Sequence, residues 1–187
     1  MTQRTLHRAA RASLLAAALA AAAPAVAGEF RVTLPGHPAG TFAAEEYFDG
    51  FGCTGANRSP EIVWSGAPAE TRSLVVTVYD PDAPTGSGWW HWIVADLPPT
   101  TTRLAAGTGT PSRALPPGAV EIRTDFGRTG WGGPCPPVGE VHRYVVTVTA
   151  LKVDRLPLPA DPTAALVGYM TRANAIASAS TTLLAGR

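Results

Sequence analysis

The sequence predicts a mostly β protein that ends in a helix. Proline and glycine, 18 and 19 of the 187 residues, interrupt the chain throughout. Between these breaks lie short apolar runs rich in β-branched residues, which is the pattern of strands. Only the last part of the chain has apolar residues at helical spacing. No internal repeat and no linker long enough to divide the chain is present, so we expect one domain.

Five runs are predicted to be strands, at 61–64, 73–79, 89–96, 120–124 and 144–151. The segments LVVTVY (74–79) and YVVTVTAL (144–151) are nearly continuously apolar. A strand of this kind is covered on both faces, whereas a half-exposed strand alternates apolar and polar residues. These two runs are therefore expected to be central strands of a sheet packed against a second layer.

One helix is predicted near the end of the chain. Asp161 can cap it, Pro162 suits its first position and Gly186 follows its end. Its apolar stripe consists of Leu166, Met170, Ala173, Ile176 and Ala177. The alternative is two shorter helices, at 163–171 and 173–184.

The first 27 residues have the order of a secretory signal peptide. Three arginines and no acidic residue precede an apolar run at 13–23, and Ala25-Val26-Ala27 follows as a small-residue cleavage site. The alternative, a membrane anchor, requires about 20 apolar residues. We therefore expect cleavage near Ala27 and a periplasmic or secreted protein.

Residues 28–187 are then the mature protein. They form a single domain large enough to bury a core without the help of disulfides or metal ions. Removal of three arginines from the fifteen Lys and Arg residues leaves twelve against fourteen acidic residues, a net charge of −2. Such a chain has no broad electrostatic attraction for DNA or RNA. We expect no nucleic-acid partner and no stable membrane anchor.

The stretch DPDAPTGSGWWHW (80–92) combines acids, a rigid turn, aromatics and a histidine. Asp80 and Asp82 stand where prolines end the strand before them. In the next strand, side-chain alternation places His91 on the face of Trp89, opposite Trp90 and Trp92. A hairpin-like return would bring His91 close to the two aspartates.

A second cluster is GWGGPCPPVGEVHRYVV (130–146), where a stiff Gly/Pro loop leads into a strand. Alternation places His142 and Tyr144 on one face of that strand and Arg143 on the other. His142 and Tyr144 are therefore candidates for a pocket, and Arg143 for an ion pair or a capping role outside it. A histidine beside aromatics is often only a core residue, but here two histidines each open a strand beside a rigid loop.

The two stretches resemble the signature regions of the phosphatidylethanolamine-binding protein family, in its bacterial Raf-kinase-inhibitor-like branch. The resemblance extends to FGCTGANRSPEIVWSGAP (51–68), to 125–127 and to 144–158, and so covers nearly all of residues 28–187. It implies a β-sandwich around a central antiparallel sheet, with a C-terminal helix beside a small anion pocket.

The resemblance implies that six residues line or support this pocket: Asp80, Asp82, His91, Pro134, His142 and Tyr144. Their ligand would be a phosphate-type anion, such as a phospholipid head group or a phosphorylated side chain. Imidazoles and a phenol can donate to an anion, and nearby carboxylates would orient the imidazoles and favour their protonated form. Inhibition of a kinase or protease is a related expectation, and the family brings no recognised catalytic metal or cofactor.

Two alternatives remain open. Asp80, Asp82, His91 and His142 could together hold a divalent metal that activates water for ester hydrolysis, although no G-x-S-x-G elbow is present. The chain could instead inhibit a protein partner through the loop at 99–118, with Arg103 and Arg113 as contacts.

The two cysteines, Cys53 and Cys135, are too few for a structural zinc site of the cysteine type. In an oxidising compartment they can form a disulfide, which their spacing alone does not decide. The resemblance places their loops at the same end of the sandwich, and on that basis we expect a disulfide.

Overall fold

The computed structural model describes residues 28–109 and 113–187, so the predicted signal peptide lies outside the described residues. The elements follow in the order β1 (Arg31–Thr33), a short 3-10 helix (Ala44–Glu46), β2 (Ile62–Ser65), β3 (Ser73–Asp80), β4 (Trp89–Leu97), β5 (Arg103–Leu104), β6 (Val120–Glu121), β7 (Val141–Leu151), α1 (Ala164–Asn174) and β8 (Ala175–Gly186). All five predicted strands are present, although the run at 120–124 forms only two strand residues.

The strands form two antiparallel sheets. A three-stranded sheet has the order β1-β2-β5, and a five-stranded sheet has the order β6-β4-β3-β7-β8. In the larger sheet Thr77 of β3 pairs with Ile93 of β4 on one side and with Thr147 of β7 on the other. This arrangement places β3, β4 and β7, which carry the candidate site residues, side by side.

The centre of the larger sheet is buried on both faces. Between the sheets, Val76 and Val78 pack in one cluster with Ile62 and Trp64 of the smaller sheet. On the opposite face, Val75 packs in a second cluster with Val167 of α1. The prediction that β3 and β7 are central strands covered on both faces is therefore confirmed, and the predicted mostly β sandwich is the observed fold.

The end of the chain differs from the prediction. The helix ends at Asn174, and the following twelve residues form β8, which pairs with β7 along its length. Ser, Thr and β-branched residues are poor helix formers, and the exposure of AIASASTTLLAG alternates with the period of a strand. Gly186 therefore ends a strand rather than following a helix.

The predicted start of the helix is also corrected. Thr163 is the N-cap, and its side chain accepts a hydrogen bond from the amide of Leu166. Asp161 lies before the cap and pairs with Arg123 instead, at 2.7 Å. Within the described ranges, no helix is long and apolar enough to cross a bilayer.

Candidate functional site

A cavity of about 200 Å³ lies at one end of the larger sheet, where β3 ends and β4 and β7 begin. Four of the six predicted site residues line it, and all four are buried: Asp80, His91, His142 and Tyr144. The remaining lining is mostly aromatic and proline side chains, among them Phe51, Trp89, Phe126, Pro84, Pro136 and Pro137. The cavity thus has a buried polar interior within apolar walls.

Asp80 is held by both of its carboxylate oxygens. Oδ1 accepts hydrogen bonds from the backbone amides of Asp82 and Ala83, at 2.8 and 3.1 Å, in the turn that the prolines impose. Oδ2 lies 2.8 Å from Nδ1 of His142. The strand exit predicted from the sequence therefore fixes a buried carboxylate against the second histidine.

Both ring nitrogens of His142 face carboxylates. Nδ1 contacts Asp80, and Nε2 lies 2.9 Å from Oε2 of Glu140. Carboxylate oxygens accept hydrogen bonds, so both nitrogens donate only in the charged imidazolium. Burial opposes this charge, but the hydrogen bonds to Glu140 and Asp80 outweigh it and raise the pKa of His142 above 6.5.

His91 differs from His142 in charge. Its Nδ1 lies 2.6 Å from the carbonyl oxygen of Gly132, which can only accept, so Nδ1 carries the hydrogen. Burial lowers the pKa of His91 to about 4, despite the opposing attraction of the Gly132 carbonyl and Asp80. The ring is therefore neutral at pH 7. Carboxylates favour the protonated form of both histidines, as expected, but at His91 burial outweighs them.

Tyr144 completes the polar interior. Its ring contacts His91 edge-to-face at 4.9 Å and Phe42 at 5.2 Å. Burial and the neighbouring Asp80 raise the pKa of the Tyr144 hydroxyl, so it keeps its proton. This hydroxyl can donate a hydrogen bond as well as accept one.

Two predicted residues lie beside the cavity rather than in its lining. Asp82 binds the backbone amide and the guanidinium of Arg143, and these hydrogen bonds lower the pKa of Asp82 to about 2. Arg143 thus forms an ion pair outside the cavity, which is one of the two roles expected for it. Pro134 accepts a hydrogen bond from the amide of Phe48 at 3.1 Å and holds the loop in place.

The aromatic wall continues around the cavity mouth. Phe126 contacts Trp89 edge-to-face at 5.3 Å and His91 at 5.4 Å, and it stacks on the exposed Phe51. The indole Nε1 of Trp89 is a buried donor without a protein partner among the described residues. The wall therefore includes one polar atom with an unused hydrogen-bonding capacity within the described residues.

A bulge changes the predicted order of the aromatic strand. Val78 pairs with Trp92 while Tyr79 pairs with Trp90, so His91 is the extra residue between them. Trp90 packs with the cluster under α1, and Trp92 packs between the sheets. The expectation that both tryptophans share one face is therefore wrong, because simple alternation does not continue through a bulge.

The sequence reasoning missed two residues that fix the Gly/Pro loop. The side chain of Asn57 donates to the carbonyl of Trp131 at 3.0 Å and accepts from the amide of Gly133 at 2.7 Å. A Cβ at Gly133 would lie 2.1 Å from the backbone oxygen of Glu46, so only glycine fits there. Asn57 lies 74 residues from Trp131, and no local signal in the sequence links them.

The disulfide joins Cys53 and Cys135, whose Cα atoms are 5.9 Å apart. Cys135 lines the cavity, and Cys53 belongs to the loop that carries Phe51. The bond therefore ties together two loops of the cavity mouth.

The arrangement does not form a metal centre among residues 28–109 and 113–187. No group of three His, Cys, Asp or Glu side chains there is placed to hold a metal ion. Asp82 is turned towards Arg143, and the Nδ1 atom of His91 is used by a carbonyl. The four residues proposed as metal ligands are thus not brought together as a set.

Comparison with known proteins agrees with this geometry. The sequence profile described as phosphatidylethanolamine-binding protein matches residues 38–185. The chain belongs to the phosphatidylethanolamine-binding protein family. This confirms the family predicted from the two signature regions.

Relatives within the phosphatidylethanolamine-binding protein family come from Escherichia coli. YbcL is 53% identical over 137 residues, covering 72% of this chain and 75% of YbcL. YbhB is 49% identical over 137 residues, covering 73% of this chain and 87% of YbhB. The crystal structure of YbcL, described as a new member of the mammalian PEBP family, superposes with a TM-score of 0.79 and 46% identity. The match covers 86% of this chain and 99% of the YbcL chain.

Proposed function

We propose that this chain is an exported binding protein whose cavity accepts a small phosphate-type anion. The observation that carries the proposal is the place of the His142 ring in the cavity lining, with its two nitrogens 2.8 Å from Asp80 and 2.9 Å from Glu140, which favours the imidazolium. Asp80 balances this charge, so the site attracts an oxyanion mainly through a charge-assisted hydrogen bond from the ring, which is stronger in a confined, mostly apolar site than in water.

The contact of the Glu140 carboxylate with this histidine supports the proposed binding of an anion. Its Oε2 atom occupies a hydrogen-bonding position on Nε2 of His142, yet the Glu140 side chain is 51% exposed. An exposed side chain can rotate away without disturbing the core, and a ligand oxygen can then accept the same hydrogen bond. The hydroxyl of Tyr144 and the indole of Trp89 supply further donors.

Export is supported by the signal-like first 27 residues and by the disulfide, which persists in oxidising compartments. A relative from Mycobacterium tuberculosis, 37% identical over 130 residues, carries the word lipoprotein in its name. We place the mature domain at 28–187, in the periplasm or outside the cell.

A protein partner fits the same chemistry if a phosphorylated side chain enters the cavity, which is the route by which the chain would inhibit a kinase or protease. The segment at 99–118 is a weaker candidate for contacting a protein partner, because Arg103 already pairs with Glu61 at 3.2 Å. No specific observation favours the metal-dependent hydrolase, and the proposed activity is binding rather than catalysis.

The test compares two buried histidines by calorimetric titration with inorganic phosphate at pH 6.5. His142→Gln should weaken phosphate binding at least tenfold because the charged donor is lost. His37→Gln is the matched control. The His37 side chain is equally buried and lies 2.7 Å from the carboxylate of Glu46, but His37 does not line the cavity. It should bind phosphate like the wild type. Equal loss in both variants, or no binding by the wild type, would overturn the proposal.

A further inference from the structure

We propose that the cavity selects oxyanions that themselves carry a hydrogen, namely inorganic hydrogen phosphate and singly protonated phosphate monoesters, over phosphate diesters and sulfate. This inference rests on the proposed function and names its ligand class more closely. It follows from the hydrogen-bonding state of His91, the second histidine in the cavity.

The tautomer of His91 is fixed by the protein. Because the carbonyl of Gly132 accepts at 2.6 Å, the only hydrogen of a neutral ring must be on Nδ1. That carbonyl cannot easily turn away, since Asn57 holds the residues on either side of it, Trp131 and Gly133. Nε2 is then a lone-pair acceptor, and no hydrogen bond within the described residues satisfies it.

The groups around His91 do not reverse this state. Asp80 of β3 and Asp125, which follows β6, attract a proton to the ring, as do the carbonyls of Gly132 and Gly133. Burial outweighs them, and the pKa of His91 stays near 4. From the other sides the ring meets the aromatic rings of Phe126 and Tyr144.

His142, whose charged form is favoured by its two carboxylate partners, also lines the cavity. The interior therefore presents both kinds of hydrogen-bonding group. His142 and Tyr144 donate, whereas Nε2 of His91 accepts.

A ligand that fits must place a hydrogen on one of its oxygens. Hydrogen phosphate does so throughout the neutral range, and a monoester does so below its second pKa of about 6. Its remaining oxygens can accept from His142 and Tyr144.

Sulfate and phosphate diesters have no such hydrogen. They leave Nε2 facing an oxygen lone pair unless His91 takes up a proton from solvent. Because that uptake is unfavourable well above pH 4, their affinity should rise about tenfold for each unit that the pH falls.

Two matched pairs of ligands test this inference by calorimetry in an amine buffer. Inorganic phosphate and sulfate have similar size and charge at pH 7.5, and methyl phosphate and dimethyl phosphate are both monoanions at pH 5.5. The first member of each pair should bind at least tenfold tighter. The preference for phosphate over sulfate should shrink as the pH falls from 7.5 to 5.5, and in a folded His91→Gln variant it should approach one, because Nε2 is gone.

Each outcome has a distinct meaning. This inference would be overturned if the affinities for sulfate and dimethyl phosphate lay within threefold of those for phosphate and methyl phosphate, with the same pH dependence. The proposed anion pocket would not be affected by that result. A preference unchanged in His91→Gln would also overturn it. Absence of binding by all four ligands across this range would overturn the proposed function itself.

Discussion

His142 donates from Nδ1 to Oδ2 of Asp80 across 2.8 Å, and both side chains are almost fully buried. The pair joins the end of β3 to the start of β7 and places a charged hydrogen-bond donor in the cavity lining. Its consequences extend to stability, because the charge is favoured in the folded state and has no comparable partners in the unfolded chain.

The raised pKa of His142 predicts a loss of stability at alkaline pH. A raised folded-state pKa stabilises fully below the unfolded value of 6.5, and this contribution disappears as the pH rises through the folded-state pKa. Urea unfolding of the wild type between pH 6 and 9 should show a falling free energy of unfolding. His142→Gln should lack this component, and an equal slope in both proteins would contradict the assigned charge.

The lowered pKa of His91 predicts the opposite behaviour in acid. The free energy of unfolding decreases as the pH falls from 6.5 towards the folded-state pKa of about 4. In this range His91 is protonated in the unfolded chain but stays neutral when buried in the folded protein. The shift corresponds to about 3 kcal/mol at full extent. As the pH falls from about 7 to about 4, the free energy of unfolding of His91→Gln should increase relative to that of the wild type by about 3 kcal/mol. A constant difference would show that His91 titrates normally.

Substitutions of Asp80 and Asp82 are predicted to differ in effect, although only one residue separates the two aspartates. Asp80→Asn breaks a buried ion pair and should cost about 3 kcal/mol of unfolding free energy. The ion pair of Asp82 is more exposed, with side-chain exposures of 60% for Arg143 and 27% for Asp82. Asp82→Asn should therefore cost about 1 kcal/mol or less. Phosphate affinity should fall in Asp80→Asn and stay within threefold of the wild-type value in Asp82→Asn. The reverse order would indicate that phosphate binds near Arg143 instead.

The disulfide predicts a measurable cross-link. Intact mass of the alkylated, non-reduced protein should show no alkylated thiol, and two alkylated cysteines would refute the bond. Because 82 positions separate the cysteines, a variant with Cys53→Ser and Cys135→Ser should lose about 4 kcal/mol in the chain-entropy account. The matched control is the wild type after reduction, which should unfold at the same urea concentration as the double variant.

The sequence predicts the larger sheet and the polar interior well, because both rest on local patterns. Continuous apolar runs indicate β3 and β7, and prolines after Asp80 require the turn that holds its carboxylate. Alternation after the Gly/Pro loop separates His142 from Arg143 correctly.

What the sequence does not predict depends on distant contacts. The charge state of His91 is set by burial and by the Gly132 carbonyl, and that loop is held by Asn57, more than seventy residues away. The last segment forms β8 because it pairs with β7, whereas its apolar spacing also suits a helix. Local spacing cannot decide between these alternatives.

The most direct test of the account is a long-range ¹H–¹⁵N NMR spectrum of the histidine rings at pH 7, recorded with and without inorganic phosphate. The account predicts a neutral His91 with its hydrogen on Nδ1, a charged His142, and phosphate-induced shifts in both rings but not in His37. A charged His91, a hydrogen on its Nε2, or rings that do not respond to phosphate would contradict it.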